Sequence, residues 1–314
     1  MKRERPRILL AEPLDPATHA RIAEQADVVF APSSDEARLI AALPGVQGLV
    51  VRTHTRVTKA VIDAGSALRV IGVAGVGVER VDLAAASERG ITVLSTPTAA
   101  SDAVAELAVT LMLNLLRPIP QLAAAYAAGR FEDARRNPHG VELRDCTIGI
   151  LGLGNIGSRV GRICAAGFGA RVIYHDVADV RPIGFEAERV RADPLWRESD
   201  ILTIHVPLTS ETRGMIGRSV LEQMRPGARL VNTARGAIVD TTALIDALRS
   251  GRLAGAGLDV IEPEPVPPDH ELFQMGSCIL TPHIASRTHG GLWRMHAVAD
   301  AVLAHLRSER ARGV

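Results

Sequence analysis

The sequence predicts an α/β protein built from two parallel-sheet domains, one of them inserted into the other. Its 314 residues are long for one domain and sufficient for two. Strand and helix patterns alternate along the chain, and a glycine-rich turn at Gly152 opens a second such series only midway. The last helical stretch, 291–312, is too short to fold alone and is expected to return to the first domain. We therefore place the first domain at 1–98 plus 288–314 and the second at 99–287.

Short apolar segments separated by helical or turn-forming residues indicate a small parallel sheet in the first domain. Pro44 and Gly45 end one helical stretch, at 35–43. The expected strands are 7–11, 27–30, 46–51, 67–72 and 91–94.

The stretch 101–117 differs from the other helical stretches because apolar residues lie nearly all round it. Ser101 is a candidate N-cap, Asp102 follows it, and Pro118 stops the helix. Such a helix needs burial on several sides, so we expect it at a domain junction or a subunit interface. A core helix of one domain is the alternative.

A Gly-x-Gly-x-x-Gly motif follows the apolar run 148–151, and its glycines are Gly152, Gly154 and Gly157. The first permits a tight turn, the second lets the backbone approach a pyrophosphate, and the third lets a helix pack closely on a strand. The motif alone is a weak signal, because 28 glycines produce such spacings by chance.

The segments after the motif strengthen it. A helical stretch at 158–166 offers free N–H groups and a positive dipole end to phosphates. A strand at 170–176 then ends at Asp176, which is placed to accept hydrogen bonds from an adenosine ribose. In this order the parts predict a dinucleotide site, and the alternative is a glycine-rich turn that binds nothing.

The rest of the second domain continues the alternation up to residue 281. Six strands in total is the number that a full dinucleotide-binding, or Rossmann, domain uses. The further strands are expected at 200–205, 228–232, 255–259 and 278–281, with helices at 218–224 and 242–250.

Bulk composition excludes several classes of protein. A net charge of +1 offers no reason to expect nucleic acid or an anionic membrane as a partner. No apolar run approaches 18 residues, and the first residues are too charged for a signal peptide. The three cysteines, Cys146, Cys164 and Cys278, are far apart, so we expect buried thiols, no metal site and a cytoplasmic location.

Polar residues follow strand after strand in the second domain, where ligands of an open α/β sheet bind. Among them, Arg235 offers a guanidinium that can hold a carboxylate, and His283 can donate and accept a proton. Glu264 lies on the only Pro-rich loop, 262–268, and can pair with His283. A surface arginine, a structural histidine and a solvated glutamate are the respective alternatives.

These residues stand in motifs that resemble the D-isomer-specific 2-hydroxyacid dehydrogenases, particularly the phosphoglycerate dehydrogenase-like branch. The similarity runs from about Val46 to His283. Its landmarks are 75–82, 96–97, 105–106, 152–157, 205–208, 232–236, 257–260, 264–265 and 281–283.

The resemblance implies roles for individual residues. Arg235, Glu264 and His283 match the catalytic arginine, glutamate and histidine of the family. Arg52 and the backbone of Val76 and Gly77 match its substrate-binding positions. The positions that match its NAD contacts are Gly152, Gly154, Asn155, Ile156, Gly157, Asp176, His205, Pro207, Thr233, Ala234 and Asp259. The family also implies a homodimer, formed partly through the helix at 101–117.

Some departures bear on the substrate. Position 73 is Val where phosphoglycerate dehydrogenases commonly carry Arg, and positions 79 and 80 are Glu and Arg instead of Asp and Asn. Losing a cation weakens a phosphate assignment. Arg181 follows Asp176 closely, so NADP stays an alternative cofactor. NAD is favoured, because a carboxylate opposes a 2′-phosphate by charge. The chain also leaves no room for the regulatory domain that some relatives append.

We therefore predict an NAD-dependent oxidoreductase that transfers a hydride between nicotinamide and C2 of a small D-2-hydroxy acid or 2-keto acid, such as glyoxylate or hydroxypyruvate. D-3-phosphoglycerate dehydrogenase is a close alternative. A non-catalytic NAD-sensing, corepressor-like protein is an alternative of a different class, and oxidation of formate or phosphite on the same fold is a further one.

Overall fold

The computed structural model describes residues 5–136, 140–182 and 184–312. The chain divides into two compact units. The first comprises Met1–Ala100 with Arg287–Val314, and the second comprises Ser101–Ser286. The predicted domain ends at residues 1 and 314 lie outside the described residues.

Strands and helices alternate along most of the described chain. The strands are β1 (Arg7–Leu10), β2 (Asp27–Phe30), β3 (Gly48–Arg52), β4 (Val70–Ala74), β5 (Thr92–Ser95), β6 (Thr147–Leu151), β7 (Arg171–His175), β8 (Glu188–Arg189), β9 (Ile201–Ile204), β10 (Ala228–Asn232), β11 (Leu253–Leu258) and β12 (Cys278–Leu280). The helices are α1 (Pro16–Ala23), α2 (Glu36–Ala42), α3 (Lys59–Ala64), α4 (Leu83–Glu88), α5 (Ser101–Leu116), α6 (Ile119–Ala127), α7 (Phe131–Arg136), α8 (Asn155–Arg162), α9 (Ala192–Glu198), α10 (Arg218–Gln223), α11 (Thr241–Arg249), α12 (His289–His296) and α13 (Val298–Arg312). Short 3₁₀ segments lie at Leu143–Asp145, Gly236–Ile238 and Glu271–Gln274, and a π-helical segment lies at Ile163–Gly167.

Several helices begin where the sequence supplies an N-cap. The capping side chain accepts a hydrogen bond from the backbone N–H three residues further on, which satisfies one of the free donors of the first turn. The capping residues of α1, α2, α3, α4, α11 and α12 are Asp15, Asp35, Thr58, Asp82, Asp240 and Thr288.

The first unit is a five-stranded parallel sheet in the order β2-β1-β3-β4-β5. Helix α13, from the end of the chain, packs on β3 and β4. Gly48 and Gly72 permit this close approach, because a Cβ atom at either would lie within 2.7 Å of the Val302 side chain. The C-terminal residues therefore complete the core of the N-terminal sheet.

The second unit is a seven-stranded parallel sheet in the order β12-β11-β10-β9-β6-β7-β8. The prediction of six strands was wrong by one, because the two-residue strand β8 is too short and too exposed to leave an apolar pattern. The chain reverses its direction of travel across the sheet between β6 and β9, which are neighbours. Ligands of open α/β sheets bind at such a switch point.

Helix α5 is a core helix of the second unit, which was the alternative reading of its pattern. It packs against α8, β10 and β11, and most of its apolar residues are buried there. Leu111 and Leu115 lie over Gly257 and Gly255, whose missing side chains let the helix approach β11. The expectation that this helix forms a junction or interface is not needed to explain its burial.

Other boundaries differ from the predicted ones by a few residues. The helix after the glycine motif begins at Asn155, not Ser158, and passes into the π-helical segment Ile163–Gly167. The C-terminal stretch is two helices, α12 and α13, not one. No single helix in the described ranges is long and apolar enough to cross a membrane, although the bent pair α5 and α6 passes that test together by length and composition.

Candidate active site

The predicted residues of the second unit gather along one edge of its sheet. Because all its strands are parallel, the residues that follow them lie at the same edge. Asp176 follows β7, His205 follows β9, Asp259 follows β11 and His283 lies three residues after β12. Pro207, Thr233, Ala234 and Arg235 lie in the loops after β9 and β10 at this same edge.

The glycine turn between β6 and α8 has the geometry that its three glycines predict. Gly152 has a φ of +93°, and a Cβ there would lie 3.0 Å from the backbone of His205. A Cβ on Gly157 would lie 2.0 Å from the Gly152 carbonyl oxygen, so only glycine fits. A Cβ on Gly154 would meet nothing within 4 Å, so this face of the turn is open for a ligand.

Asn155 and Ile156 form the first turn of α8 at this open face. Asn155 is exposed and Ile156 is half-buried. The Asn155 carbonyl oxygen accepts a 2.6 Å hydrogen bond from Arg159, which in turn forms an ion pair with Asp102 of α5. The first turn of the helix is therefore tied to the core helix behind it.

Asp176 connects the glycine turn to the end of β7. One of its carboxylate oxygens accepts a 2.8 Å hydrogen bond from the Leu153 N–H, and the other accepts a 2.9 Å bond from the Ala178 N–H. Each carboxylate oxygen has a second lone pair, so the group can still accept from a ribose hydroxyl. Asp176 therefore shapes the turn as well as offering a charge to a ligand.

Two buried polar atoms at the same edge of the sheet have no hydrogen-bond partner among the described residues. They are Nδ1 of His205 and Oγ1 of Thr233. Burial lowers the pKa of His205 to about 3, so its ring is neutral at pH 7, and its Nε2 lies 2.9 Å from the Thr203 hydroxyl. Unsatisfied polar atoms at the edge of the sheet that carries an open glycine turn fit a polar dinucleotide ligand.

The loop that carries Arg235 is held by the amide of Asn232. This side chain accepts from the Ala234 N–H at 2.9 Å and donates to the Arg235 carbonyl oxygen at 2.9 Å. The Arg235 guanidinium donates to the Ala234 carbonyl oxygen at 2.8 Å. Gly236 lets the loop contact the next one, because a Cβ there would lie 2.1 Å from the Ile261 carbonyl carbon.

His283 and Glu264 form a hydrogen-bonded pair. His283 Nδ1 lies 2.8 Å from Glu264 Oε1, and both side chains are partly exposed. His283 is the one residue other than glycine with a positive φ, 51°, among the described residues. With Nδ1 engaged by the carboxylate, Nε2 is the ring nitrogen that can meet a substrate.

Asp259 uses its carboxylate to hold the loop that contains His283. One oxygen accepts from the Thr281 hydroxyl at 2.6 Å and from the Ile284 N–H at 2.8 Å. The other accepts from the Ala285 N–H at 2.8 Å, and the backbone carbonyl of Asp259 accepts from the His283 N–H. Predicted as a cofactor contact, Asp259 is 1% exposed and engaged within the protein.

The predicted substrate residues lie in the first unit. Arg52 ends β3, and its side chain is 11% exposed. The Arg52 guanidinium makes no hydrogen bond to any described residue, and its closest carboxylate contact joins Nε to Glu12 Oε2 at 3.8 Å. The N–H groups of Val76 and Gly77, after β4, likewise donate no hydrogen bond within the described chain.

Asn232 was among the polar strand-end residues expected from the sequence, whereas Glu12 was not singled out. Glu12 lies two residues after β1, so the rule that selected His205 and Asp259 also applied to it. Among the described residues, no group of three or more His, Cys, Asp or Glu is arranged to hold a metal ion.

Residues 109–285 match the family model described as D-isomer specific 2-hydroxyacid dehydrogenase, NAD binding domain. This range covers more than half of the chain and includes every strand of the second sheet. The chain belongs to the D-isomer-specific 2-hydroxyacid dehydrogenases. The resemblance, the fold class and a nicotinamide dinucleotide as cofactor, all predicted from the sequence, are thereby confirmed.

Relatives within this dehydrogenase family carry two kinds of name. A D-3-phosphoglycerate dehydrogenase of Archaeoglobus fulgidus is 39% identical over 285 residues, which cover 90% of this chain and 54% of that protein. A hydroxypyruvate reductase of Thermotoga maritima is 38% identical over 286 residues, which cover 90% of this chain and 92% of that protein. The chain thus spans about half the length of the phosphoglycerate dehydrogenases that it matches.

A solved structure of the same dehydrogenase family shares the fold. The NADPH-dependent glyoxylate/hydroxypyruvate reductase of Sinorhizobium meliloti, solved with NADP and malonate, is 33% identical with a TM-score of 0.83. The match covers 97% of this chain and 93% of that one.

Proposed function

We propose that this protein is an NAD-dependent dehydrogenase that interconverts small 2-keto acids and D-2-hydroxy acids. The observation that carries the proposal is the hydrogen-bonded pair of His283 and Glu264 at the ligand edge of the sheet. A binding fold alone needs no such pair, whereas carbonyl–alcohol interconversion needs a group that gives and takes a proton.

NADH, when bound, would supply a hydride to C2 of the keto acid. His283 donates a proton from Nε2 to the keto oxygen, and it takes that proton back when the hydroxy acid is oxidised. Glu264 Oε1, at 2.8 Å from Nδ1, holds the ring in one orientation. Arg235 binds the carboxylate of the substrate and orients the carbonyl group.

The cofactor residues act by shape and charge. The open face of Gly154 and the N-terminus of α8 receive the pyrophosphate, with Asn155 and Ile156 in the first helical turn. Asp176 binds the ribose and disfavours a 2′-phosphate, so NAD is preferred to NADP. His205, Pro207, Thr233 and Ala234 line the ligand edge beyond the turn.

A small substrate without a phosphate group is favoured. In the first unit, Arg52 and the N–H groups of Val76 and Gly77 have unused donors that suit a carboxylate. Val73, at the position where phosphoglycerate dehydrogenases commonly have Arg, is buried inside β4. The Thermotoga and Sinorhizobium relatives, whose names give hydroxypyruvate and glyoxylate, match along nearly their full lengths.

D-3-phosphoglycerate dehydrogenase is the second candidate. Its support is the set of relatives with that name at 37–39% identity. An NAD-sensing protein without catalysis would not need the complete set of Arg235, Glu264 and His283.

We also propose a homodimer, and the cytoplasmic location stays a prediction.

The test follows oxidation of NADH and NADPH with glyoxylate, hydroxypyruvate and 3-phosphohydroxypyruvate. We expect turnover of an unphosphorylated keto acid with NADH, and a loss of about 10²- to 10⁴-fold in kcat for His283→Ala. Preferred turnover of 3-phosphohydroxypyruvate would support the second candidate. NADH binding without turnover of any keto acid would support the sensing function.

A further inference from the structure

A charged cluster at the carboxyl ends of the strands of the first sheet contains Glu12, which no motif singles out. Glu12 lies two residues after β1, and Arg52 ends the adjacent strand β3. The two side chains approach to 3.8 Å between Glu12 Oε2 and Arg52 Nε. They are 22% and 11% exposed, so water screens this pair only in part.

The second oxygen of Glu12 faces another group that can carry positive charge. Glu12 Oε1 lies 2.6 Å from His54 Nε2, although the angle is outside that of a hydrogen bond. Arg287 and Arg52 also act on each other through their charges. The charges of Arg52 and Glu12 both act on the pKa of His296. Glu12 is the carboxylate that balances Arg52 within this cluster.

The Arg52 side chain is held in place, but its hydrogen-bond donors have no partners among the described residues. Burial lowers the pKa of Arg52, and the nearby carboxylate of Glu12 opposes that effect. The guanidinium nevertheless makes no hydrogen bond to any described residue. A buried guanidinium with unused donors suits an anionic ligand, but its positive charge is already matched by Glu12.

We propose that Glu12 is a specificity-determining residue that limits how much negative charge a substrate can bring to Arg52. This inference rests on the proposed function and narrows it to 2-keto acids with an uncharged substituent at C3. A carboxylate adds one negative charge beside the Glu12–Arg52 pair, which the unused donors of Arg52 can accept. A phosphate adds nearly two more and meets the charge of Glu12 at short range, where repulsion is strong.

The test compares kcat/KM for 3-phosphohydroxypyruvate with that for hydroxypyruvate in the full chain. Glu12→Gln keeps the shape and removes the charge, and we expect it to raise this ratio by about tenfold or more. Glu12→Asp keeps the charge and should stay close to the wild-type ratio. Glu24→Gln removes an exposed carboxylate at the end of α1 and is the matched control. An unchanged ratio in Glu12→Gln, or an equal rise in Glu12→Asp, overturns the proposal while leaving the proposed function intact.

A binding measurement makes the result independent of turnover. Isothermal titration with inorganic phosphate should show tighter binding to Glu12→Gln than to wild type and to Glu24→Gln, by a similar factor. Thermal unfolding of each variant checks that it is folded, and Glu12→Ser replaces Glu12→Gln if that variant is not. Equal phosphate affinity in all folded variants contradicts the role of Glu12, whether or not a keto acid is reduced.

Discussion

Asp259 is a buried side chain that holds the loop of the proposed catalytic residue His283. Its carboxylate accepts hydrogen bonds from Thr281, Ile284 and Ala285, which surround His283 on both sides in the chain. The positive φ of His283 is unfavourable for a residue with a Cβ, so the loop needs such external support. Asp259 therefore fixes the backbone from which the imidazole projects.

This arrangement predicts that Asp259→Ala lowers the free energy of unfolding by about 3 kcal/mol, because three donors to a charged acceptor lose their partner. It should also lower kcat more strongly than it weakens NADH binding. Asp240→Ala removes an exposed N-cap that accepts one hydrogen bond, and it should lower the free energy by only about 1 kcal/mol. Urea unfolding measures the free energy of both variants. An equal loss of unfolding free energy in the two would show that Asp259 supports its loop no more than an ordinary N-cap supports its helix.

His205 predicts a dependence of stability on pH. Its folded pKa is about 3, whereas an unfolded histidine titrates near 6.5. Below about pH 6.5 the unfolded chain therefore binds a proton that the folded chain does not. Folding is then opposed, and stability falls as the pH falls, by about 1.4 kcal/mol per pH unit at most.

Urea unfolding of the protein without cofactor between pH 7 and pH 5 measures this effect. His205→Gln has no imidazole at this position, so its stability should fall less steeply than that of wild type. His289→Gln, which removes an exposed imidazole, is the control. Parallel curves for wild type and His205→Gln would mean that the folded ring accepts a proton at ordinary pH.

At this scale the sequence predicted which side chains lie at the ligand edge, but not what each one contacts. The position of Arg235, Asp259 and His283 after strands follows from parallel topology alone. The partners of Asp259 depend on how a loop folds back after β12, and the pairing of Glu12 with Arg52 depends on which strands become neighbours. Neither is encoded in a local pattern.

Among the elements, the glycine turn shows the closest agreement between pattern and geometry. Each glycine has the separate role that its position predicts: a positive φ at Gly152, an open face at Gly154 and a close packing contact at Gly157. The passage of α8 into a π-helical segment could not be predicted, because apolar periodicity continues through it. The short strand β8 was missed because two exposed residues cannot show an alternation of apolar and polar residues.

Gly157→Ala tests the packing of this element. A Cβ would lie 2.0 Å from the Gly152 carbonyl oxygen, so the turn must shift and NADH affinity should fall by about tenfold or more. Gly167→Ala, in the π-helical segment, meets nothing within 4 Å and should bind NADH as wild type does. Fluorescence titration with NADH measures both, and unchanged affinity in Gly157→Ala would show that the turn does not depend on this contact.

For the whole molecule, the return of α13 to the first sheet was predictable. The C-terminal helical stretch, 291–312, has only 22 residues and cannot fold alone. The expectation that 101–117 forms part of a homodimer stays a prediction. Helix α5 is used inside its own unit, whereas α6, which follows it, has no buried residue despite its apolar composition. Ile119 and Tyr126 are 60% and 64% exposed, and Tyr126 packs against Phe131 of α7.

We therefore predict that α6 and α7 contribute to the proposed homodimer. Sedimentation should show twice the chain mass of 33.4 kDa. Tyr126→Asp places a charge on this surface and should shift the protein toward monomer, whereas Phe30→Asp, on the exposed side of β2, should not. A wild-type monomer, or a dimer that Tyr126→Asp leaves intact, would place self-association elsewhere or exclude it.

The central claim is that His283 and Glu264 serve hydride transfer to C2 of a 2-keto acid. Its most direct measurement incubates the protein with NADH and hydroxypyruvate and quantifies both NAD and the two enantiomers of glycerate by chiral chromatography. We predict NAD and D-glycerate in equal amounts, at a rate that falls by about 10²-fold or more in His283→Ala. L-glycerate, NADH oxidation without glycerate, or an unchanged rate in His283→Ala would contradict the claim.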